Sequence, residues 1–360
     1  MIYIGAEEII SPLGQNMEEN FQAVCENRSG VSLIPHAGFN DESIHLSKIT
    51  SIPSQNKFEY LLIDILENVL KQIDPQIVSS KKTIVIVSST KGDLDRNISS
   101  PFTDSIAAFA KYFKLANEPL VVSNACISGV LAINAAGNFI KTGLYDHAIV
   151  IGCDVISDFV LYGFQSLFAV SSTPCAPFDA NRNGITLGEG CSAVVLSNSK
   201  EIFKKTSFQL FTGRSANDAN HISGPSRTGE GLFRSVKKTL EQNQISVDEI
   251  DFISAHGTAT IFNDEMEAIA FDRLEINDKP LNSLKGYFGH TLGAAGVIET
   301  AISIQMMRNN LLVKSLGYKE SGTSKTLNIA TENKSSELNT ILKTASGFGG
   351  CNASLVIRKL

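Results

Sequence analysis

Three residues far apart in the chain carry the chemistry this sequence can do. Cys126 sits in Val121-Val122-Ser123-Asn124-Ala125-Cys126-Ile127-Ser128-Gly129, which reads as a short apolar strand, a turn of small residues and the start of a helix. A thiol at such a turn faces the positive end of the helix dipole and backbone N–H groups that have no partner inside the helix. Both favour the thiolate, the form that attacks a carbonyl. The plain alternative is a small buried core residue, as most free cysteines are. His256, in Ser254-Ala255-His256-Gly257-Thr258-Ala259-Thr260, directly follows an expected strand. His290, in Lys285-Gly286-Tyr287-Phe288-Gly289-His290-Thr291-Leu292-Gly293, precedes an expected helix rich in glycine and alanine. A single loop histidine is more often a surface or hydrogen-bonded residue than a catalyst. Two at element ends, with a cysteine at a helix start, fit the Cys/His pattern in which the partners are distant in sequence and close in the fold.

The elements that must position these residues alternate in type. Apolar and β-branched runs predict strands over 2–10, 83–88, 147–152, 191–196, 208–213, 250–254, 339–345 and 353–358. Helical spacing predicts helices over 16–26, 58–73, 105–113, 229–243, 264–274 and 292–307, the second through Leu61, Leu62, Ile65, Leu66, Val69, Leu70 and Ile73. Residues 31–56 read as polar and irregular, and 157–190 as a long loop. This alternation implies an α/β architecture with largely buried sheets. Ser, Lys and Asn accumulate over 198–206, which places a boundary between a half at 1–200 with the cysteine and a half at 205–360 with the histidines and Lys285. The second half repeats the grammar of the first, as a diverged duplication would.

Composition narrows the function classes. At 360 residues and 43% hydrophobic content the chain is long enough for two core-bearing units. A net charge of −6 argues against a nucleic-acid binder, while leaving room for an acidic partner where basic residues cluster. No apolar run approaches the ~20 residues a membrane helix needs, and the start, Met1-Ile2-Tyr3-Ile4-Gly5, lacks the features of a signal peptide. The six cysteines are scattered, with no Cys-x-x-Cys pair and no metal-like His/Cys spacing, which argues against structural zinc and a disulfide framework. The expected location is the cytoplasm.

The Cys, His, Lys-to-His order and the strings around it resemble the elongating β-ketoacyl-[acyl carrier protein] synthases of the thiolase superfamily. So do Ile10-Ser11-Pro12-Leu13-Gly14 with Asn27-Arg28-Ser29-Gly30, Pro177-Phe178-Asp179-Ala180-Asn181-Arg182-Asn183-Gly184 with Gly188-Glu189-Gly190, and the closing Gly347-Phe348-Gly349-Gly350-Cys351-Asn352. The similarity spans nearly the whole chain. It implies a thiolase-like α/β fold of five layers, αβαβα, with two mixed sheets, two pseudo-duplicated halves and a cleft where they meet. It also implies a decarboxylative Claisen condensation between an acyl group carried on Cys126 and malonyl-[acyl carrier protein]. In that scheme His256 and His290 hold the malonyl thioester oxygen through Nε–H donors and stabilise the enolate. The backbone N–H groups of Cys126 and Phe348 form the oxyanion hole.

Further roles follow from the same resemblance. Lys285 acts electrostatically, with Glu267 and Glu299 as candidate partners; the alternative for both glutamates is a solvated helix face. Thr258 and Thr260 hydrogen-bond the pantetheine arm, and Phe164 and Gly349 contact substrate. Phe348 is an aromatic gate or, more plainly, core packing. The glycines around it support mobility; a phosphate-loop reading fails on spacing and on the missing Lys-Ser/Thr. No metal or redox cofactor is needed, since decarboxylation drives the bond. The implied partners are acyl carrier proteins, with a homodimer expected and a heterodimer with a paralogous subunit open.

Several features depart from the family pattern. Ser346 stands where relatives often have a second phenylalanine, Phe168 lies near the place of a carrier-docking arginine, and residues 31–120 and 171–177 are short. The compaction points to a polyene or other specialised lipid. Two other functions stand behind the condensing enzyme. A non-catalytic chain-length subunit usually lacks the cysteine, and a degradative thiolase would need a second catalytic cysteine, for which Cys351 lies in the wrong motif.

Overall fold

The computed structural model describes residues 1–218 and 224–360. In the first half run β1 (Tyr3–Ile10), β2 (Thr83–Ser88), β3 (Leu120–Val122), β4 (His147–Asp154) and β5 (Gly190–Ser197). The second half has β6 (Phe208–Phe211), β7 (Phe252–Ser254), β8 (Leu281–Asn282), β9 (Thr340–Gly347) and β10 (Cys351–Arg358). Their lateral orders are β3-β2-β4-β5-β1 and β8-β7-β9-β10-β6. Counted from its own first strand, each half has the same order. The strand senses repeat as well. β2 runs parallel to β3 and β4, while β5 is antiparallel to β4 and β1. β7, in the same way, runs parallel to β8 and β9, while β10 is antiparallel to β9 and β6. The two sets also touch: β1 and β6 pair through Tyr3↔Gln209 and Ile4↔Phe208, so hydrogen bonding runs on from one set to the other.

The helices are α1 (Met17–Cys25), α2 (Lys57–Leu70), α3 (Thr103–Tyr112), α4 (Ser128–Lys141), α5 (Asp158–Ser166), α6 (Glu230–Asn243), α7 (Ile261–Arg273) and α8 (Ala295–Asn309). Strand alternation sorts the apolar side chains between layers. Ile84 and Ile86 of β2 face a central core shared with α4, α8 and the inner residues Phe252, Ile341 and Leu355 of the second half. Val85 and Val87 face outward onto α2 and onto Phe109 of α3. Ile253, Leu342 and Val356 face the opposite outer layer, α6 and α7. The result is five layers: helices, strands, the α4–α8 pair, strands, helices. Every residue of α8 from Ala295 to Met307 is buried, as expected of a helix enclosed on all sides.

The α4–α8 contact depends on two glycines. A Cβ on Gly129 would stand 2.8 Å from the Val297 nitrogen, and one on Gly296 would stand 2.7 Å from the Val130 nitrogen. Both distances are below van der Waals contact, so only glycine lets the starts of the two helices, which follow Cys126 and His290, meet this closely.

Two expectations are corrected. Residues 31–56 contain a short antiparallel hairpin, Ser32–Ile34 with Ile44–Leu46, whose three-residue strands are too brief to show a period in the pattern. The loop expected over 157–190 contains α5, whose N-cap Ser157 accepts a hydrogen bond from the Val160 N–H at 3.4 Å. Phe159-Val160-Leu161-Tyr162 is a continuous apolar run, which helix and strand share, and only Leu161 of α5 is buried. The remaining long strands and helices lie within a few residues of their expected bounds.

Candidate active site

The candidate residues gather at the carboxyl ends of strands, where open α/β sheets bind ligands. Cys126 lies between β3 and α4 and is 7% exposed. Ala125 before it has φ +44°, a left-handed conformation that costs a residue with a Cβ ~1–3 kcal/mol. Ser128 holds this turn: its Oγ accepts from Asn124 N at 2.8 Å and donates to Ala125 O at 2.6 Å. Burial pushes the Cys126 thiol up to about 12, with Lys285 and the Phe348 N–H pulling the other way. The resting thiolate expected at a helix start is therefore overturned, because desolvation of the charged form outweighs the favourable dipole.

His290 reaches the thiol, with Nε2 at 3.1 Å from Cys126 Sγ. Its backbone is pinned by N–H donation to Thr186 O at 2.6 Å and by acceptance from Gly188 N at 3.1 Å. The His256 ring stands edge-on to the His290 ring, with centroids 5.2 Å apart. Burial, and after it the Lys285 charge, keeps both imidazoles well below the usual histidine range, so both are neutral. Lys285 Nζ lies 3.2 Å from His256 Nδ1. An ammonium only donates, which makes Nδ1 the acceptor and leaves Nε2–H as the donor of that ring.

Lys285 uses its other hydrogens on His256 O at 2.5 Å and Glu299 Oε1 at 2.6 Å. The second oxygen of Glu299 takes Lys343 Nζ at 2.5 Å, which also donates to Ser254 O at 3.2 Å. Lys343 was not singled out from the sequence; its signal is a lysine inside the strand run Ile341-Leu342-Lys343-Thr344-Ala345. Two buried lysines and one glutamate leave net positive charge beside His256. Glu267 does not join this cluster. Its carboxylate accepts from His256 N at 2.8 Å, Gly257 N at 2.6 Å and Asn263 Nδ2 at 3.0 Å, and burial, helped by Asp264, raises it to about 7. Neither glutamate lies on a solvated face: Glu267 is 0% and Glu299 3% exposed.

The motifs quoted above mostly hold backbone in place. Ser29 Oγ donates to Gly286 O at 2.7 Å, and Gly30 N donates to Tyr287 O at 2.8 Å, fastening the turn that carries Lys285. Asp264 accepts from Phe178 N at 2.7 Å and Thr258 N at 2.9 Å, tying the 177–184 segment to the His256 turn. Ser346 Oγ donates to Asn352 Oδ1 at 2.7 Å, inside the glycine-rich hairpin. Asp154, also missed in the sequence, accepts from Gly293 N at 2.7 Å just before α8. Its signal is a carboxylate closing the apolar run of β4.

Two cavities meet at Cys126. The larger, about 630 Å³, is lined by His256, His290, Thr258 and Thr260, whose hydroxyls are 2.9 Å apart. The smaller, about 390 Å³, lies toward Thr90, Phe102 and Phe159. Phe164 and Phe348 line both, with ring centroids 5.4 Å apart. Phe348 is 38% exposed, which excludes plain core packing. Gly349, at φ +80°, shapes the turn and does not line either cavity. Phe168 lines the larger cavity and is 94% exposed.

Among the described residues, Cys126, His256 and His290 are the one set of sulfur and nitrogen atoms close enough to share a metal ion, all within 4.8 Å. They suit one poorly. The Lys285 contact leaves His256 Nε2 without a lone pair, and the two lysines oppose a further cation. All six cysteines are free thiols. Among the described residues, no helix is long and apolar enough to cross a membrane.

Comparison with known proteins places the chain by sequence and fold. The beta-ketoacyl synthase N-terminal domain matches residues 88–201 and the C-terminal domain residues 210–319. The 3-oxoacyl-[acyl-carrier-protein] synthase 2 of Rhizobium meliloti is 32% identical over 254 residues, covering 66% of this chain and 60% of its own. The tetracenomycin polyketide synthase ketoacyl synthase alpha subunit of Streptomyces glaucescens is 28% identical over 256 residues, covering 66% of this chain and 59% of its own. The matched stretch thus spans about three-fifths of the length of these relatives. A chain of the ketosynthase–chain length factor complex from Xenorhabdus doucetiae superposes with a TM-score of 0.87 at 26% identity, covering 100% of this chain and 98% of that one. A beta-ketoacyl synthase from Burkholderia phymatum superposes with a TM-score of 0.86 at 23% identity, covering 100% and 99%. With both domains matched in order and the fold shared end to end, the chain belongs to the beta-ketoacyl synthase family.

Proposed function

We propose that this chain is a 3-oxoacyl-[acyl carrier protein] synthase that condenses an acyl thioester with malonyl-[acyl carrier protein] in fatty-acid, polyene or related lipid biosynthesis. The observation that carries this reading is the Cys126 Sγ–His290 Nε2 contact of 3.1 Å, at the junction of two cavities, with the His256 ring alongside. Since the thiol rests protonated, His290 Nε2 takes its proton as sulfur attacks the acyl carbonyl. The N–H groups of Cys126 and Phe348 hold the oxyanion. Collapse releases the pantetheine thiol, which receives the proton. Once the released thiol has taken that proton, the neutral His290 ring keeps its hydrogen on Nδ1; the malonyl thioester oxygen then accepts from His256 Nε2–H, and from His290 after its proton shifts from Nδ1 to Nε2. Carbon dioxide leaves, and the resulting enolate is stabilised by these donors and by the positive charge of Lys285 and Lys343. Carbon attack on acyl-Cys126 forms the new bond and expels the thiolate, which is reprotonated.

Thr258 and Thr260 orient the pantetheine arm in the larger cavity, and Phe348 against Phe164 gates the passage to the smaller one. Glu299 holds the two lysines, and Glu267 holds the His256 turn. The repeated strand order supports reading 1–200 and 205–360 as the two halves of a duplicated chain. Family membership supports acyl carrier proteins as partners and a dimer with a second copy or a paralogous subunit; the cytoplasmic location rests on the sequence reading alone. The likeness to a ketosynthase–chain length factor complex supports a second reading, a chain-length subunit without turnover of its own. Intact-protein mass spectrometry after incubation with acyl carrier proteins of several chain lengths separates the two. A covalent acyl adduct lost in Cys126→Ser establishes the synthase; no adduct with any donor favours the subunit.

A further inference from the structure

The smaller cavity has apolar walls, including Leu94, Pro101, Phe102, Phe159, Val160 and Leu292, and one charged residue among its lining, Lys91. Lys91 is 7% exposed, and among the described residues its Nζ has one hydrogen-bond partner, Asp154 Oδ1 at 3.1 Å. An ammonium has three hydrogens to give, so two remain unused. Asp154 pairs with this cation, and Asp95 is within its electrostatic reach. The Asp154 carboxylate also accepts from Ser89 Oγ at 2.8 Å, Thr90 N at 3.1 Å, Thr90 Oγ1 at 3.2 Å and Gly293 N at 2.7 Å. The ion pair balances the charge, and what the cavity wall retains is ammonium hydrogens without acceptors. Ligand cavities have this composition: mostly apolar surface with a few polar groups that fix one point of the ligand.

We propose that the smaller cavity selects acyl chains bearing an oxygen acceptor along or at the end of an otherwise apolar chain, and that Lys91 is the residue that binds that oxygen. A purely alkyl chain filling the same space would leave the cation desolvated with donors unmet, which is unfavourable. Such a substrate comes from a reaction that leaves or installs a hydroxyl or keto oxygen on the chain. This inference rests on the reading that Cys126 carries the acyl group.

The test pairs acyl-pantetheine thioesters of equal length, one alkyl and one with a terminal hydroxyl, and follows acylation of Cys126 by intact mass. The wild-type chain should favour the oxygenated donor by about tenfold. Lys91→Met should remove or reverse that preference, and Lys91→Arg should keep it, a rescue that a merely structural lysine would not show. Equal rates with both donors, unchanged in Lys91→Met, would overturn the proposal while leaving the synthase reading intact. N-alkyl iodoacetamides with the same two tails form the second arm, since they label a thiol without any turnover. Preference for the hydroxyl tail there, with no transfer from any thioester, would sustain the cavity's selectivity and sink the synthase reading instead. Should Lys91→Met fail to fold, Lys91→Gln keeps one neutral donor and should lower the preference without inverting it.

Discussion

The two halves of the molecule share one topology and divide the chemistry between them. In each, the site is built where the second, third and fourth strands end: β2, β3 and β4 in one, β7, β8 and β9 in the other. The first half supplies a neutral thiol after β3, together with Lys91 and Asp154 after β2 and at the end of β4. The second supplies His256 after β7, Lys285 and His290 after β8, and Lys343 and Phe348 on and after β9. The proposed nucleophile Cys126 and the proposed donor His290 thus follow the third strand of two similar scaffolds, and His256 follows the second strand of its own. The difference teaches that the fold provides places, and that the residue types in those places provide function. Cys126 and His290 stand just before α4 and α8, whose starts meet at Gly129 and Gly296.

The comparison breaks most completely at the nucleophile. Cys126→Ala should lower acyl transfer on the order of 10⁴-fold or more, read as loss of the acyl adduct; an adduct that persists would move the nucleophile to another thiol. In the other half, His256→Ala should slow malonyl decarboxylation by ~10²–10³-fold, the scale of a lost oxyanion donor, and slow acylation less. His290→Ala should impair both steps, because it touches Cys126 as well. Equal profiles for the two histidines would remove the division of labour proposed for them. Lys343→Met leaves Glu299 paired with Lys285, so the loss is that of the hydrogen bonds to Glu299 and Ser254 O and should be ~1–2 kcal/mol in urea unfolding.

Glu267 sharpens the electrostatic side. Its folded carboxyl keeps a proton up to about pH 7, while the unfolded one releases it near 4.5. Between those values the folded chain binds more protons, so stability falls as pH rises and stays lower above pH 7. Glu267→Gln should flatten that fall, by about 3 kcal/mol between pH 4.5 and 8, in denaturation midpoints taken across the range. An unchanged slope would show that the carboxyl ionises normally. The last effect belongs to the helix contact. Gly296→Ala should cost ~1–3 kcal/mol by overpacking and slow alkylation or acylation of Cys126 as the histidine moves away; a stable variant with normal reactivity would show that the contact does not set the site.

Much of this was legible in the sequence, for local reasons. A β-branched run such as 83–88 can satisfy its apolar faces only inside a sheet, and a 3.6-residue stripe such as Leu61, Leu62, Ile65, Leu66 and Val69 only as a helix. Cys126, His256 and His290 were visible because each stands among small residues at an element end. α5 and the 32–46 hairpin were not, since the apolar run 159–162 fits helix and strand alike and three-residue strands are too short to show a period. Tertiary structure alone decided the rest. Lys343 and Asp154 read as ordinary charges until strands from distant parts of the chain enclose them. Glu267 and Glu299 look alike on two helices, yet one holds a backbone turn and the other joins two lysines. The charge state of Cys126 was misjudged for the same reason: a helix start is a local feature, whereas the desolvation that keeps the thiol protonated comes from everything packed around it.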